Sequence, residues 1–300
     1  MITRTGDFAQ NNRITQLFLD AQTRLRDVQA QLSSGKVTDQ FRDLAPDVNR
    51  LLDAKNLLQK ARQYQTNNRL VDGRLQVMES ATGSLFELGT RLRTLLIQRL
   101  NDGTSVPGTM TADATLMLDQ VVAELNAELD GQFLFAGSKT DTAPVQLDPA
   151  FTNFGSPDDT YYQGDDVELA VLADDDLLLT YGMTADREGF QELIGALRTV
   201  IEADVIDDRP LLESALDLVD SALPKLADYR SELGARQARL ADINIRHGDM
   251  EVYLQRQISD VEDVDIAAAV TRLSQDQVLI ESAMATIGRL SRLSLADYLR

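Results

Sequence analysis

The side chains best suited to chemistry are few and scattered. Ser33-Ser34-Gly35-Lys36 has the spacing of serine acyl-transfer enzymes, in which a lysine three residues on helps activate the hydroxyl, but no S-D-N or K-T-G companion follows. Gly137-Ser138-Lys139-Thr140 ends as a phosphate-binding loop ends, without the earlier glycine that lets backbone N–H groups cradle a phosphate. Asp158-Asp159, Asp165-Asp166 and Asp174-Asp175-Asp176 offer carboxylates for Ca²⁺, yet none forms the alternating loop closed by a distal glutamate. They read as solvated turns. His247 is the only histidine and cysteine is absent, so zinc ligation, thiolate chemistry and disulfides have no material. His247 itself reads as a surface residue of a helix. No nucleophile, base and orienting group converge by spacing, so the sequence predicts no enzyme, cofactor, metal or small-molecule substrate.

The elements that carry these residues follow from composition and rhythm. With 43% hydrophobic residues the chain can bury a core, and its aliphatic, aromatic-poor composition favours helices. The net charge of -19 is uneven: residues 1–100 carry 15 basic and 10 acidic side chains, residues 101–190 carry 2 and 18, and residues 191–300 carry 12 and 20. Nucleic acid and anionic membrane are disfavoured, because both draw affinity from clustered Lys and Arg. The first residues lack the apolar core of a secretory signal, and no apolar run reaches membrane-spanning length.

Ile14, Leu17, Ala21, Leu25, Val28 and Leu32 recur at three- and four-residue gaps, predicting a helix that Ser33-Ser34-Gly35 closes. After a polar connection, Pro46 suits the first turn of a second helix. From there Leu57, Tyr64, Val71, Met78, Leu85 and Leu92 hold a strict seven-residue spacing, a coiled-coil seam on a helix of about residues 47–100, roughly 80 Å long. Such a stripe alone cannot offset the entropy of ordering so long a helix, so partner helices are required. The C-terminal third supplies them. Ile266, Val270, Leu273, Gln277, Ile280, Met284 and Ile287 form a second heptad seam, with Gln277 as a polar residue that would fix register. Leu212, Leu216, Val219, Leu223 and Leu226 form another stripe, in which Pro224 predicts a kink or break.

Between the helical ends, Thr111 to Asp130 reads as a shorter helix. From Gln132 to about Tyr181, turn residues surround the short apolar runs Phe133–Phe135, Val167–Leu172 and Leu177–Tyr181, the signature of strands. The expected fold is therefore mainly α with an inserted small β domain, on a long antiparallel coiled-coil bundle formed by the N- and C-terminal regions. Its expected parts are an N-terminal assembly helix and turn (1–45), rod helices (46–131), an acidic, solvent-facing β insert (132–188), C-terminal rod helices (189–257) and a C-terminal assembly helix (258–300).

Several stretches resemble the flagellin superfamily in order along the chain. Gln31 to Lys36 followed by Arg42-Asp43-Leu44-Ala45-Pro46 is similar to its N-terminal turn, with Ser33, Gly35, Asp43 and Pro46 as the matching positions and Val37-Thr38-Asp39 as a departure. Leu92 to Gln98 before Asn101-Asp102-Gly103-Thr104, Arg230 to Leu240, Ile258 to Asp265 and Leu273 to Gln277 resemble its later segments. Pro46, Gly131 to Ser138, Tyr161 to Asp166 and the tail with Ser294, Leu295, Tyr298 and Leu299 resemble the members that join hook to filament more than those that form the filament body. The resemblance implies a non-catalytic, self-assembling subunit outside the cell, exported through the flagellar type III apparatus with a chaperone. Its implied partners are a hook-side junction protein, flagellin, and copies of itself in a ring. A flagellin of the filament body and, more distantly, an intracellular coiled-coil scaffold are the alternatives.

Overall fold

A computed structural model describes the backbone of residues 2–38, 47–101, 106 and 108–298, and within these the side chains of 12–38, 47–101, 106 and 108–289. The helices are α1 (Ile2–Ser34), α2 (Val48–Asn101), α3 (Thr111–Leu125), α4 (Glu188–Ile206), α5 (Arg209–Glu262) and α6 (Ile266–Tyr298). Two short hairpins lie between α3 and α4: β1 (Glu128–Leu129) with β2 (Gln132–Phe133), and β3 (Ala170–Asp174) with β4 (Leu177–Thr180). The protein is mainly helical with a small β part. It divides into two compact units, residues 1–59 with 250–300, and residues 60–249.

In the unit of residues 60–249, α2 and α5 run antiparallel. Tyr64 stacks on His247 with ring centroids 5.5 Å apart, Asn68 Nδ2 donates to Asn244 Oδ1 at 3.0 Å, Gly89 faces Leu223, and Arg93 pairs with Asp220 at 2.5 Å. The partner's number falls as the α2 number rises. Val71, Leu75, Met78, Leu85, Leu92 and Leu96 are buried along α2, as are Val219, Leu226, Leu233 and Leu240 along α5. The stripe explains why α5 stays one helix through Pro224. Val219 and Ala222 before it and Leu226 after it are fully buried, so ending the helix there would uncover all three. Their packing outweighs the hydrogen bond that proline removes, and the expected break does not occur.

α4 is buried along most of its length and completes this core with Phe190, Leu193, Ile194 and Leu197. Its Asp204, wholly buried, accepts hydrogen bonds from Arg99 Nε (2.9 Å) and from the backbone N–H groups of Met110 (2.8 Å) and Thr111 (3.1 Å). A carboxylate from one helix thus caps the start of another, α3, whose N-cap residue, Met110, makes no side-chain cap. α3 ends at Leu125 rather than near Asp130. Asn126 pairs in both directions with the backbone of Val145, and the chain then enters the β1–β2 hairpin through Asp130 (φ 54°) and Gly131 (φ 76°). Two positive φ angles in a two-residue loop are what a tight hairpin with native twist needs, and glycine adopts one freely.

The insert is two separate two-stranded hairpins and connecting loops, not one sheet. Of the expected strand Phe133–Phe135 only Phe133 pairs; Phe135 is buried against Phe190 instead. The expected Val167–Leu172 strand lies slightly later, at Ala170–Asp174. The two insert segments resembling the superfamily fold onto each other: Asp165 N–H donates to Ala136 O at 3.2 Å, Ser138 N–H to Asp165 Oδ1 at 2.7 Å, and Tyr162 OH to Asp165 O at 2.6 Å. The Ser138 hydroxyl and N–H hold the Asp165 carboxyl below the usual carboxylate range. Lys139 Nζ, in the sequence that imitates a phosphate loop, donates to Gly164 O at 3.0 Å. Tyr161 is fully buried with its hydroxyl on Ala185 O at 2.6 Å. Arg198 anchors the loop from α4, pairing with Asp158 at 2.6 Å and lying over the Phe151 ring.

His247 is not the surface residue its helix pattern predicts. It is buried, with Nε2 3.0 Å from Ala173 O, because β3 packs over that face of α5 and its carbonyl needs a donor. Asn68 Nδ2 reaches the same carbonyl at 3.2 Å. The triple-aspartate turn beyond it is held by Lys60 and by Tyr64 OH on Asp175 at 2.7 Å.

Two outcomes follow from this packing. A Cβ at Gly73 meets nothing within 4 Å, whereas one at Gly89 meets Leu223 Cδ2 at 3.0 Å. In urea titrations Gly73→Ala is therefore expected to stabilise by about 0.5–1 kcal/mol, and Gly89→Ala to destabilise by about 1–3 kcal/mol. Burial, aided by the charge of Asp158, pushes the Tyr161 hydroxyl well above its ordinary value, so its neutral form is favoured in the folded chain. The stability this group contributes is complete below the unfolded value of about 10 and declines as pH rises past it. Unfolding free energy should fall above about pH 10, and Tyr161→Phe should flatten that fall.

Candidate assembly interface

The unit of residues 1–59 and 250–300 is built on α1 and α6. Ile14, Phe18, Ala21, Leu25, Val28 and Leu32 of α1 are buried or half-buried, as are Ala269, Leu273, Asp276, Ile280, Ala283 and Ile287 of α6. Both stripes keep the four-three rhythm of a coiled-coil seam. The helices run antiparallel, since Arg24 Nε donates to Asp276 Oδ1 at 3.2 Å while Lys36 bridges Asp263.

The turn after α1 is tied to the α5–α6 junction. Gly35 (φ 72°) closes α1 with its N–H on Gln31 O at 2.8 Å, as its sequence predicts. Val37 N–H then donates to Glu262 O at 2.7 Å, and Val264 N–H to Gly35 O at 2.9 Å. The Glu262 carboxylate, only 12% exposed, receives Lys55 and Lys36. Asp265 starts α6 by accepting from Ala268 N–H at 3.1 Å. Two segments that the sequence sets more than 220 residues apart thus share one set of hydrogen bonds.

The seam residues named from spacing divide into inward and outward groups. Ile14, Leu25, Val28 and Leu32 face inward, while Leu17 is 50% exposed and Phe18 takes its place. Leu57 is exposed, and its neighbour Leu58 packs with Ala54 and Leu254. A strict seven-residue spacing drifts about 20° per heptad against the α-helix, so the five heptads from Leu92 back to Leu57 accumulate about one residue of rotation. Tyr64 is half-buried on His247; Val71, Met78, Leu85 and Leu92 lie in the core of the other unit. On α6, Leu273, Ile280 and Ile287 are half-buried, whereas Ile266, Val270, Gln277 and Met284 are exposed. The polar residue inside the seam is Asp276, not Gln277. Its signal was available: Ala269 and Ala283 stand seven residues to either side, small residues of the kind that mark close helix approach. Ser33 is exposed beside Gly35. Asp43, Pro46 and Leu299 lie outside the described residues, as do the side chains of Ser294, Leu295 and Tyr298, whose backbone is helical.

The surface left open carries apolar side chains among polar ones. Besides Ile266, Val270 and Met284, the exposed residues include Val278 of α6, Leu19 of α1 and Tyr253 of α5. Among the described residues no cluster of His, Asp and Glu could hold a metal ion, and Lys36 of the apparent acyl-transfer motif is paired with Glu262. What this arrangement can do is cover apolar helix faces with further helices.

The fold as a class is that of hook-associated flagellar proteins. FlgL of Bacillus cereus superposes with a TM-score of 0.56 at 18% identity, covering 70% of this chain and 99% of that one. Flagellar hook-associated protein-3 of Legionella pneumophila gives 0.56 at 16% identity, covering 69% and 98%. A flagellin of Halalkalibacterium halodurans is 28% identical over 96 residues, 32% of this chain and about a third (35%) of its own length. The bacterial flagellin N-terminal helical region matches residues 9–140 and the C-terminal helical region matches residues 216–299. The chain belongs to the bacterial flagellin family and is a structural, non-catalytic protein of the flagellum exterior.

Glu262 joins three segments of this unit, so Glu262→Ala should cost about 1–3 kcal/mol of local stability. The expected readout is faster amide exchange at Val37 and Val264, with exchange at Leu85 unchanged.

Proposed function

We propose that the protein is the subunit joining hook to filament, assembling as a ring between a hook-side junction protein and the first flagellins, and required for motility. The observation that carries this is the pair of terminal helices, each with one face covered within the chain and apolar side chains left exposed on another. Val270 and Met284 of α6 and Leu17 and Leu19 of α1 are about half exposed in the single chain. A solitary protein gains nothing from that exposure; an assembling one covers it with neighbours. Leu57, Ile266 and Gln277, also outward-facing, join these as contacts between subunits in this reading, while Ile14, Leu25, Val28, Leu32, Leu273, Ile280 and Ile287 hold the helices in pairs. The resemblance of Gly131–Ser138, Tyr161–Asp166 and the tail to junction members favours the junction over the filament body. Export through the type III apparatus with a chaperone belongs to the same proposal.

Epitope labelling of isolated flagella tests it. A band confined to the hook–filament boundary is the expected result; label along the filament would assign the protein to the filament body, and none on flagella would sink both readings. Met284→Asp is expected to fold as the parent does, because that side chain is exposed in the chain, yet to fail to enter flagella, since assembly would bury an unpaired carboxylate. Motility plates and circular dichroism of the purified variant check both halves.

A further inference from the structure

We infer that the Arg24–Asp276 ion pair sets the register of α1 against α6, making it the specificity element of the terminal helix pair; the biological consequence rests on the assembly role proposed above, but the geometry does not. Asp276 occupies a seam position between Leu273 and Ile280 and is 9% exposed, where a leucine would serve stability better. A carboxylate there is tolerable only beside a cation. Arg24 provides it, its Nε donating at 3.2 Å from the rim of a groove that Asp27, Val28, Gln31, Arg272 and Gln275 also line.

The residues at alternative positions on α1 make the choice of register sharp. Sliding α1 by one heptad would set Leu17 or Gln31 beside Asp276. Sliding by one turn would set Asp20, Ala21, Asp27 or Val28 there. None is a cation, and two are carboxylates that would repel it. The next arginine toward the N-terminus along that edge, Arg13, is eleven residues away, about three turns. Apolar stripes repeating at four and three pair almost equally well when shifted by seven, so the seam residues alone leave register open. The hydrogen bonds of the Gly35–Val37 turn to the α5–α6 junction anchor one end of the pair; along the helices, one nearly buried carboxylate with Arg24 as its partner across the seam closes the choice, since Arg272 lies on α6 itself and stays beside Asp276 in every register. Subunits carrying such helices in close proximity would otherwise pair out of step.

The absence of cysteine allows a direct test on the full-length chain. Asp27→Cys with Arg272→Cys reports the observed register, and Asp20→Cys with Arg272→Cys reports a one-heptad slip, each trapped by a short bismaleimide. The observed-register pair should exceed the slipped pair at least about tenfold, the ratio given by about 1.4 kcal/mol. Adding Asp276→Leu should narrow that ratio without loss of helix content, the turn's hydrogen bonds to the α5–α6 junction keeping part of the preference. Asp276→Arg should suppress the observed-register product, and Arg24→Asp with Asp276→Arg should restore it. Equal yields in the parent, no trapping of the observed-register pair, or a ratio unmoved by Asp276→Leu would each overturn the inference. Flagellar incorporation of the same variants is scored separately, so failure of the assembly reading leaves the register result standing.

Discussion

An α-helix of fifty-four residues with one apolar stripe cannot stand in water by itself, and the structure of residues 60–249 answers that constraint. α2 finds its partner in α5, antiparallel, and the stripe from Val71 to Leu96 is then covered on its remaining side by α3, α4 and the hairpins. Burial on this scale decides local disputes. It carries α5 through Pro224, draws His247 out of solvent, and leaves Phe135 to fill a gap against Phe190 rather than extend a strand.

Polar groups do a different task here. The buried Asp204, the imidazole of His247 and the Asn126 amide each sit where backbone leaves a helix or strand with unpaired groups, and each satisfies them from another part of the chain, while the Glu262 carboxylate gathers two lysines beside the α5–α6 junction. Apolar packing brings the elements together, while these contacts fix where each one starts and stops. The Arg24–Asp276 pair extends the same logic from the ends of elements to the register between two of them.

The terminal helices differ from the other unit in what they leave uncovered. In residues 60–249 the long helices meet partners on several sides, whereas α1 and α6 cover one stripe each and leave Val270, Val278 and Met284 in solvent. In the proposed assembly the rest of this apolar surface is covered by neighbouring subunits.

Helix identity and extent were legible because a stripe repeating at three and four is a local property of sequence: Ile14 to Leu32, Val71 to Leu92 and Leu273 to Ile287 announced their helices, and Gly35 its helix end. Family motifs at both ends were legible for the same reason. Whatever depended on which face meets which partner was not. Leu57 against Leu58, Leu17 against Phe18 and Gln277 against Asp276 are choices between adjacent residues about 100° apart on a helix, and spacing taken alone points about equally to either. The insert's hairpins, the capping of α3 by Asp204 and the burial of His247 required contacts between residues far apart in sequence. The sequence by itself determined that helices form and that each has an apolar side; only the tertiary structure decided what covers that side, because burial belongs to two surfaces and one stretch of sequence describes one of them.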